Sequence, residues 1–216
     1  MAGIVAKCRV PIDTRRARRH LLAADRHMAA LIRRVGPCRF ERRVEADPFT
    51  ALVRAIVAQQ VSAAAARTIF SRLRGLFPND VPEPTRLLRL GDDVLRGAGL
   101  SRAKVVYLRD LAARLADGRL DLPAVTGQND ADAIAGLTAV KGIGTWTAEV
   151  FLIFHMRRPD VFPSGDLALM VAIQRAYRMR TRPTPAEARR LARTWQPYRS
   201  VASWYLWQSL ALDRAP

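Results

Sequence analysis

Residues 137–166 read L-T-A-V-K-G-I-G-T-W-T-A-E-V-F-L-I-F-H-M-R-R-P-D-V-F-P-S-G-D, and this stretch decides how the rest of the chain is read. A Gly-x-Gly turn (Gly142, Ile143, Gly144) stands between two apolar runs of helical period. Glycine lets the backbone turn tightly and brings its N–H groups close to a ligand, and a helix that starts at once adds a dipole favouring an anion. Further on, a lone carboxylate, Asp166, follows Pro163, Ser164 and Gly165. One segment thus pairs a phosphate-gripping hairpin, residues 142–145, with an acid group presented in a turn.

Working outward, the periodicity is helical throughout. Leu21, Leu22, Met28, Leu31 and Ile32 predict one helix from Thr14 to about residue 35, ended by Gly36 and Pro37. Asp47 followed by Pro48 is an N-cap with proline at the first helical position. That helix runs to about residue 58, and an Ala-rich one follows from Ser62 to about 76. A loop with three prolines covers 78–84, and short helices fit 84–90 and 92–97. Longer ones fit 101–116, 130–137, 146–156, 166–178, 185–194 and 199–212. No alternating strand pattern and no internal repeat interrupts them. The expected fold class is all-α, with about ten helices.

Composition narrows the partners. Lys and Arg number 36 against 19 Asp and Glu, a formal net charge of +17, which favours a polyanion such as nucleic acid over neutral or basic partners. The excess is concentrated at the two ends, with a net of +7 in residues 1–50 and again in 157–216. Cys8 and Cys38 are the only cysteines, too few for a disulfide framework or a four-cysteine iron–sulfur cluster. The start lacks the apolar core of a secretory leader, and no apolar run approaches the ~20 residues needed to span a bilayer. A cytoplasmic protein with free thiols is expected. His20, His27 and His155 are too scattered to suggest a metal site.

Four blocks resemble the helix-hairpin-helix DNA glycosylases that carry a Gly/Pro-rich loop and an aspartate, most of all the 3-methyladenine DNA glycosylase II group. They are D-P-F at 47–49 through I-V-A-Q-Q-V-S at 56–62, G-L-S-R-A-K at 99–104, the hairpin with Asp166, and W-Q-P-Y-R-S at 195–200 with W-Y-L-W at 204–207. They follow the family's order across most of residues 45–212. The resemblance implies a two-lobed helical glycosylase fold, with residues ~1–45 and ~157–216 forming one lobe and ~46–156, including the hairpin at ~137–150, the other. The active site would lie in the cleft between them. It also implies the short form, a single glycosylase domain over 1–216 without the larger relatives' extra N-terminal domain.

The same resemblance implies the chemistry. Asp166 is expected to be catalytic, stabilising the oxocarbenium-like sugar or orienting water; the bland alternative is an N-cap for the next helix, and the two are compatible. Trp146 stands where lyase-active relatives carry a lysine. An indole cannot form a Schiff base, so the activity should be monofunctional hydrolysis. Trp146 and Trp207 are expected to form the base pocket, where an indole face attracts a cationic alkylated base; the alternative is that both are core. Val150 replaces the family's tyrosine and thins that pocket. Gln60, with Gln59, is expected to wedge into the space left by a flipped base, or else to form a plain loop between helices. Gly142, Ile143, Gly144 and Thr145 should hold a DNA phosphate. Backbone carbonyls of Thr138, Val140 and Ile143 are expected to accommodate a monovalent cation, Na or K, with no cofactor required. The expected function is base-excision hydrolysis of alkylated purines, 3-methyladenine or 7-methylguanine in type, from double-stranded DNA by a monomer. The competing readings are a glycosylase for other damaged or mismatched bases and a non-catalytic DNA-binding module.

Overall fold

The computed structural model describes residues 12–40 and 47–213. Among them every regular element is helical and none is a strand, as the periodicity predicts. In chain order the helices are α1 (Thr14–Ala24), α2 (Arg26–Val35), α3 (Pro48–Ala58), α4 (Ala63–Arg74), α5 (Pro84–Arg89), α6 (Asp92–Gly97) and α7 (Arg102–Ala116). They continue with α8 (Leu122–Gly127), α9 (Asp130–Thr138), α10 (Thr145–Phe154), α11 (Leu167–Ala176), α12 (Pro185–Leu191) and α13 (Arg199–Leu212). Short 3-10 turns occupy Pro78–Asp80 and Ala192–Trp195. No helix among the described residues is long and apolar enough to cross a membrane.

The described chain divides into two compact units. One lies within Glu45–Phe151; the other combines the described parts of Lys7–Val44 and Leu152–Pro216. In the first, α3 buries Phe49, Leu52, Val53, Ile56 and Val57, each worth about 1.5–3 kcal/mol when removed from water. Asp47 caps that helix by accepting the Thr50 amide at 2.6 Å. Against it pack α4 and α7, the latter burying Val105, Leu108 and Leu111. In the second unit α13 is the central helix, buried from Ser200 through Leu206, and α1, α2 and α11 pack around it.

The expected single helix over 14–35 is two. Asp25 breaks it with extended dihedrals, and its side chain caps α2 by accepting the His27 and Met28 amides at 2.8 and 3.0 Å. The same carboxylate accepts the Tyr177 hydroxyl and, at 3.0 Å, the Trp195 indole N–H. Burial opposes its ionisation, yet these four donors hold its pKa below the ordinary aspartate value. Tyr177 is pushed well up, by burial first and by this bond second. The other departures are small. Helix α8 starts at an Asp121 cap with a proline in its first turn, and the expected 185–194 helix tightens into a 3-10 turn at Ala192.

Candidate active site and nucleic-acid interface

The hairpin is built from buried apolar pins and fixed polar ends. Val140 and Ile143 are buried. The Val140 amide donates to the Leu137 carbonyl and the Ile143 amide to the Val140 carbonyl, both at 3.1 Å. Gly142 has φ +80°, and a methyl group in place of its hydrogen would stand 2.2 Å from Tyr107 Cδ2. Only glycine meets both conditions. The Lys141 amide donates to Asp110 Oδ2 at 2.9 Å, and Arg114 pairs with the same oxygen at 2.8 Å. Burial works against that carboxylate's charge, but these partners keep its pKa below the usual value. The exposed Gly144 and Thr145 then open α10, where the Gly144 carbonyl receives the Ala148 amide. The first amides of a helix have no intrahelical partner, so this end attracts an anion.

The two glutamines part at the end of α3. Gln60 is exposed, with φ +55°, and projects from a turn closed by Ser62, which caps α4 through the Ala65 amide at 3.2 Å. Gln59 is half-buried. Its side-chain amide donates to the Gly142 carbonyl at 2.9 Å and lies 3.4 Å from Thr147 Oγ1. Gln59, expected to wedge together with Gln60, thus has its side-chain amide bonded to the hairpin. The structure brings Gln60, the hairpin glycines, Trp146 and Val150 around one cavity of about 660 Å³ within this unit. Trp146 is 46% exposed and lines that cavity, which removes the core reading for this residue.

In the other unit, Asp166 is 6% exposed and is the N-cap of α11. Its Oδ1 accepts the Leu169 amide at 2.8 Å, and its own amide donates to the Pro163 carbonyl at 2.9 Å, closing the turn. Arg189 of α12 donates to Ser164 Oγ at 2.8 Å, tying the loop from its other side. The cap fixes where the carboxylate stands. Trp207 is half-buried, its ring 5.5 Å from that of Phe154, which stacks on Phe40. Trp204 and Tyr205 are buried and belong to the core.

Sequence reading missed three polar residues that shape these sites. Asp25, Asp110 and the buried Lys104, whose Nζ donates to the Val57 carbonyl at 2.7 Å, each stand inside a helical period. The apolar pattern absorbed them. The one legible signal was at Asp25, an N-cap residue type ahead of an apolar run. Among the described residues no group of three His, Cys, Asp or Glu side chains is placed to hold a metal.

Residues 53–197 match the model of the HhH-GPD superfamily base excision DNA repair proteins, and the chain belongs to that superfamily. It is 31% identical over 196 residues to DNA-3-methyladenine glycosylase 1 of Schizosaccharomyces pombe, covering 89% of this chain and 86% of the relative. Among solved structures it is similar to the 3-methyladenine DNA glycosylase of the same yeast in complex with abasic DNA, with a TM-score of 0.84 at 30% identity over 93% of this chain and 99% of that one. A DNA-3-methyladenine glycosidase from Bacillus halodurans superposes with a TM-score of 0.81 at 32% identity, covering 92% and 91%.

Proposed function

We propose that this chain is a DNA glycosylase that excises alkylated purines, of the 3-methyladenine and 7-methylguanine type, from duplex DNA. The observation that carries the reading is Asp166, a carboxylate removed from solvent and held in one orientation by the cap it makes on α11. As the N-glycosidic bond breaks, the base leaves with the bonding electrons and C1′ becomes oxocarbenium-like. A fixed negative charge stabilises that carbon, and the attacking water completes hydrolysis. An alkylated purine is already cationic, so it needs little help from a general acid. The exposed Trp146 face suits such a cation by about 0.5–2 kcal/mol, and Trp207 supplies a second aromatic surface. Gln60 is the proposed wedge, and Gly142, Ile143, Gly144 and Thr145 the proposed phosphate grip.

With Trp146 where an amine would be needed, the proposed reaction stops at the abasic site. The enzyme acts as a monomer and requires no cofactor in this reading. A structural Na or K ion would be held by the carbonyls of Thr138, Val140 and Ile143. Val140 already accepts the Ile143 amide, but a carbonyl oxygen has two lone pairs, so this neutral oxygen set suits a monovalent cation. The ion would add positive charge beside the hairpin. A cytoplasmic setting accords with a chain that has just two cysteines.

The direct test is release of modified bases from methylated DNA by the purified protein, resolved by chromatography. Free 3-methyladenine or 7-methylguanine is expected, and borohydride should trap no covalent enzyme–DNA adduct. Binding without any base release would leave only a DNA-binding module, and a trapped adduct would return the chemistry to Lys7, Lys104, Lys141 or the N-terminal amine.

A further inference from the structure

The two features proposed to engage DNA within Glu45–Phe151, the hairpin and the Gln60 turn, are joined by one side chain. Gln59 and Gln60 are consecutive, Gln59 bonded to the hairpin and Gln60 exposed. Because the Gly142 carbonyl can only accept, the Gln59 atom 2.9 Å from it is the amide nitrogen. Gln59 is thus the last residue before the wedge and a direct partner of the glycine that shapes the hairpin. The turn is also held by α7. Lys104 of α7 is 8% exposed and donates to the Val57 carbonyl at 2.7 Å. That carbonyl belongs to the last turn of α3, whose carbonyls lack intrahelical partners and where a cation meets the negative end of the dipole. Gln60 between them has φ +55°, a left-handed conformation that costs a non-glycine residue on the order of 1 kcal/mol and persists only when its surroundings enforce it. Surroundings that enforce it are present: the hairpin through Gln59 and α7 through Lys104.

We propose that Gln59 is a positioning residue that couples grip of the DNA backbone at the hairpin to insertion of Gln60, with Lys104 anchoring the turn. This rests on the roles proposed above for Gln60 and the hairpin. Phosphate binding that settles the Gly142 carbonyl also settles Gln59, and so the backbone from which Gln60 projects. The linkage is reciprocal: a seated wedge tightens the hairpin by the same factor.

The test uses the full chain with Gln59→Leu, Gln60→Ala and the double variant. Three measurements are made: amide hydrogen exchange of residues 142–145 without DNA, binding to an undamaged duplex, and single-turnover release of 7-methylguanine paired with cytosine or mispaired with thymine. Loss of one net hydrogen bond corresponds to about two- to tenfold. Gln59→Leu is expected to speed hairpin exchange and to weaken undamaged-duplex binding by about that factor. It should also slow release from the paired site more than from the mispaired one. Gln60→Ala should slow release from the paired site while leaving hairpin exchange without DNA unchanged. The double variant should lose less than the product of the single losses. Gln59→Glu, which keeps the size and turns a carboxylate toward the Gly142 carbonyl, should reproduce Gln59→Leu; it is read in its place if the leucine variant melts early. Normal hairpin exchange in the folded variant, or losses that multiply, would overturn the coupling alone. A Gln60→Ala protein as fast as wild type on the paired site would overturn the wedge reading and the coupling with it.

Discussion

A carboxylate that caps a helix is oriented before any substrate arrives, and Asp166 combines that cap with near-complete burial. Asp166→Asn separates the two roles. Asparagine caps about as well as aspartate, so the melting temperature should move little. The variant lacks the negative charge, and single-turnover base release should fall by a factor on the order of 10²–10³ or more, as when an electrostatic contact to a transition state is removed. A neutral lesion such as hypoxanthine should suffer more than cationic 7-methylguanine, whose departure needs less assistance. DNA binding should persist. If Asp166→Asn cleaves every substrate at the wild-type rate, Asp166 is a cap and nothing more.

At the scale of elements, the two hairpin glycines answer to different constraints. Gly142 combines φ +80° with Tyr107 where a Cβ would be, whereas Gly144 has no neighbour within 4 Å of that position. Gly142→Ala should therefore cost about 1–3 kcal/mol of stability and weaken duplex binding. Gly144→Ala should melt within about 0.5 kcal/mol of wild type and lose binding only through closer steric approach to the phosphate. Calorimetry and duplex titration of the pair distinguish them; equal stability losses would remove Tyr107 from the explanation. In the other unit the element to test is the break between α1 and α2. Asp25 is held below its ordinary pKa by four donors, so its contribution is present above about pH 4 and disappears as pH falls through the lower folded value. Asp25→Asn turns amide protons toward the Tyr177 and Trp195 donors and should cost about 1–3 kcal/mol at pH 7. That deficit should shrink on acidification, and one that stays constant down to pH 2 would contradict the assignment. Asp25 also marks where sequence reading fell short. The helical period of Leu21, Met28 and Ile32 continues across it, and two of the four donors that hold the break, Tyr177 and Trp195, lie more than 140 residues away. The hairpin was legible because glycine punctuation and apolar flanks are local. The brace from Gln59 and Lys104 was not, because it joins segments distant in sequence.

For the whole molecule the governing quantity is charge. A formal +17 was readable from composition, and the superfamily match supplies the polyanion that composition alone left open. Two kinds of phosphate contact should then separate by salt. Arginine contacts release condensed counterions, so each phosphate they neutralise adds about −0.9 to the slope of log affinity against log salt. The hairpin, as proposed, binds through neutral amides whose attraction comes from geometry and the α10 dipole. Undamaged-duplex affinity should therefore fall steeply between 50 and 200 mM salt. Replacing an arginine that contacts a phosphate should make the slope shallower by about one. Gly144→Ala should instead lower affinity by a similar factor at every salt concentration and leave the slope nearly unchanged. Fluorescence anisotropy across a salt series measures both. A flat wild-type response would mean that the basic ends do not face DNA. A slope that changes with Gly144→Ala as much as with an arginine would mean that the hairpin holds its phosphate through charged side chains rather than through its backbone.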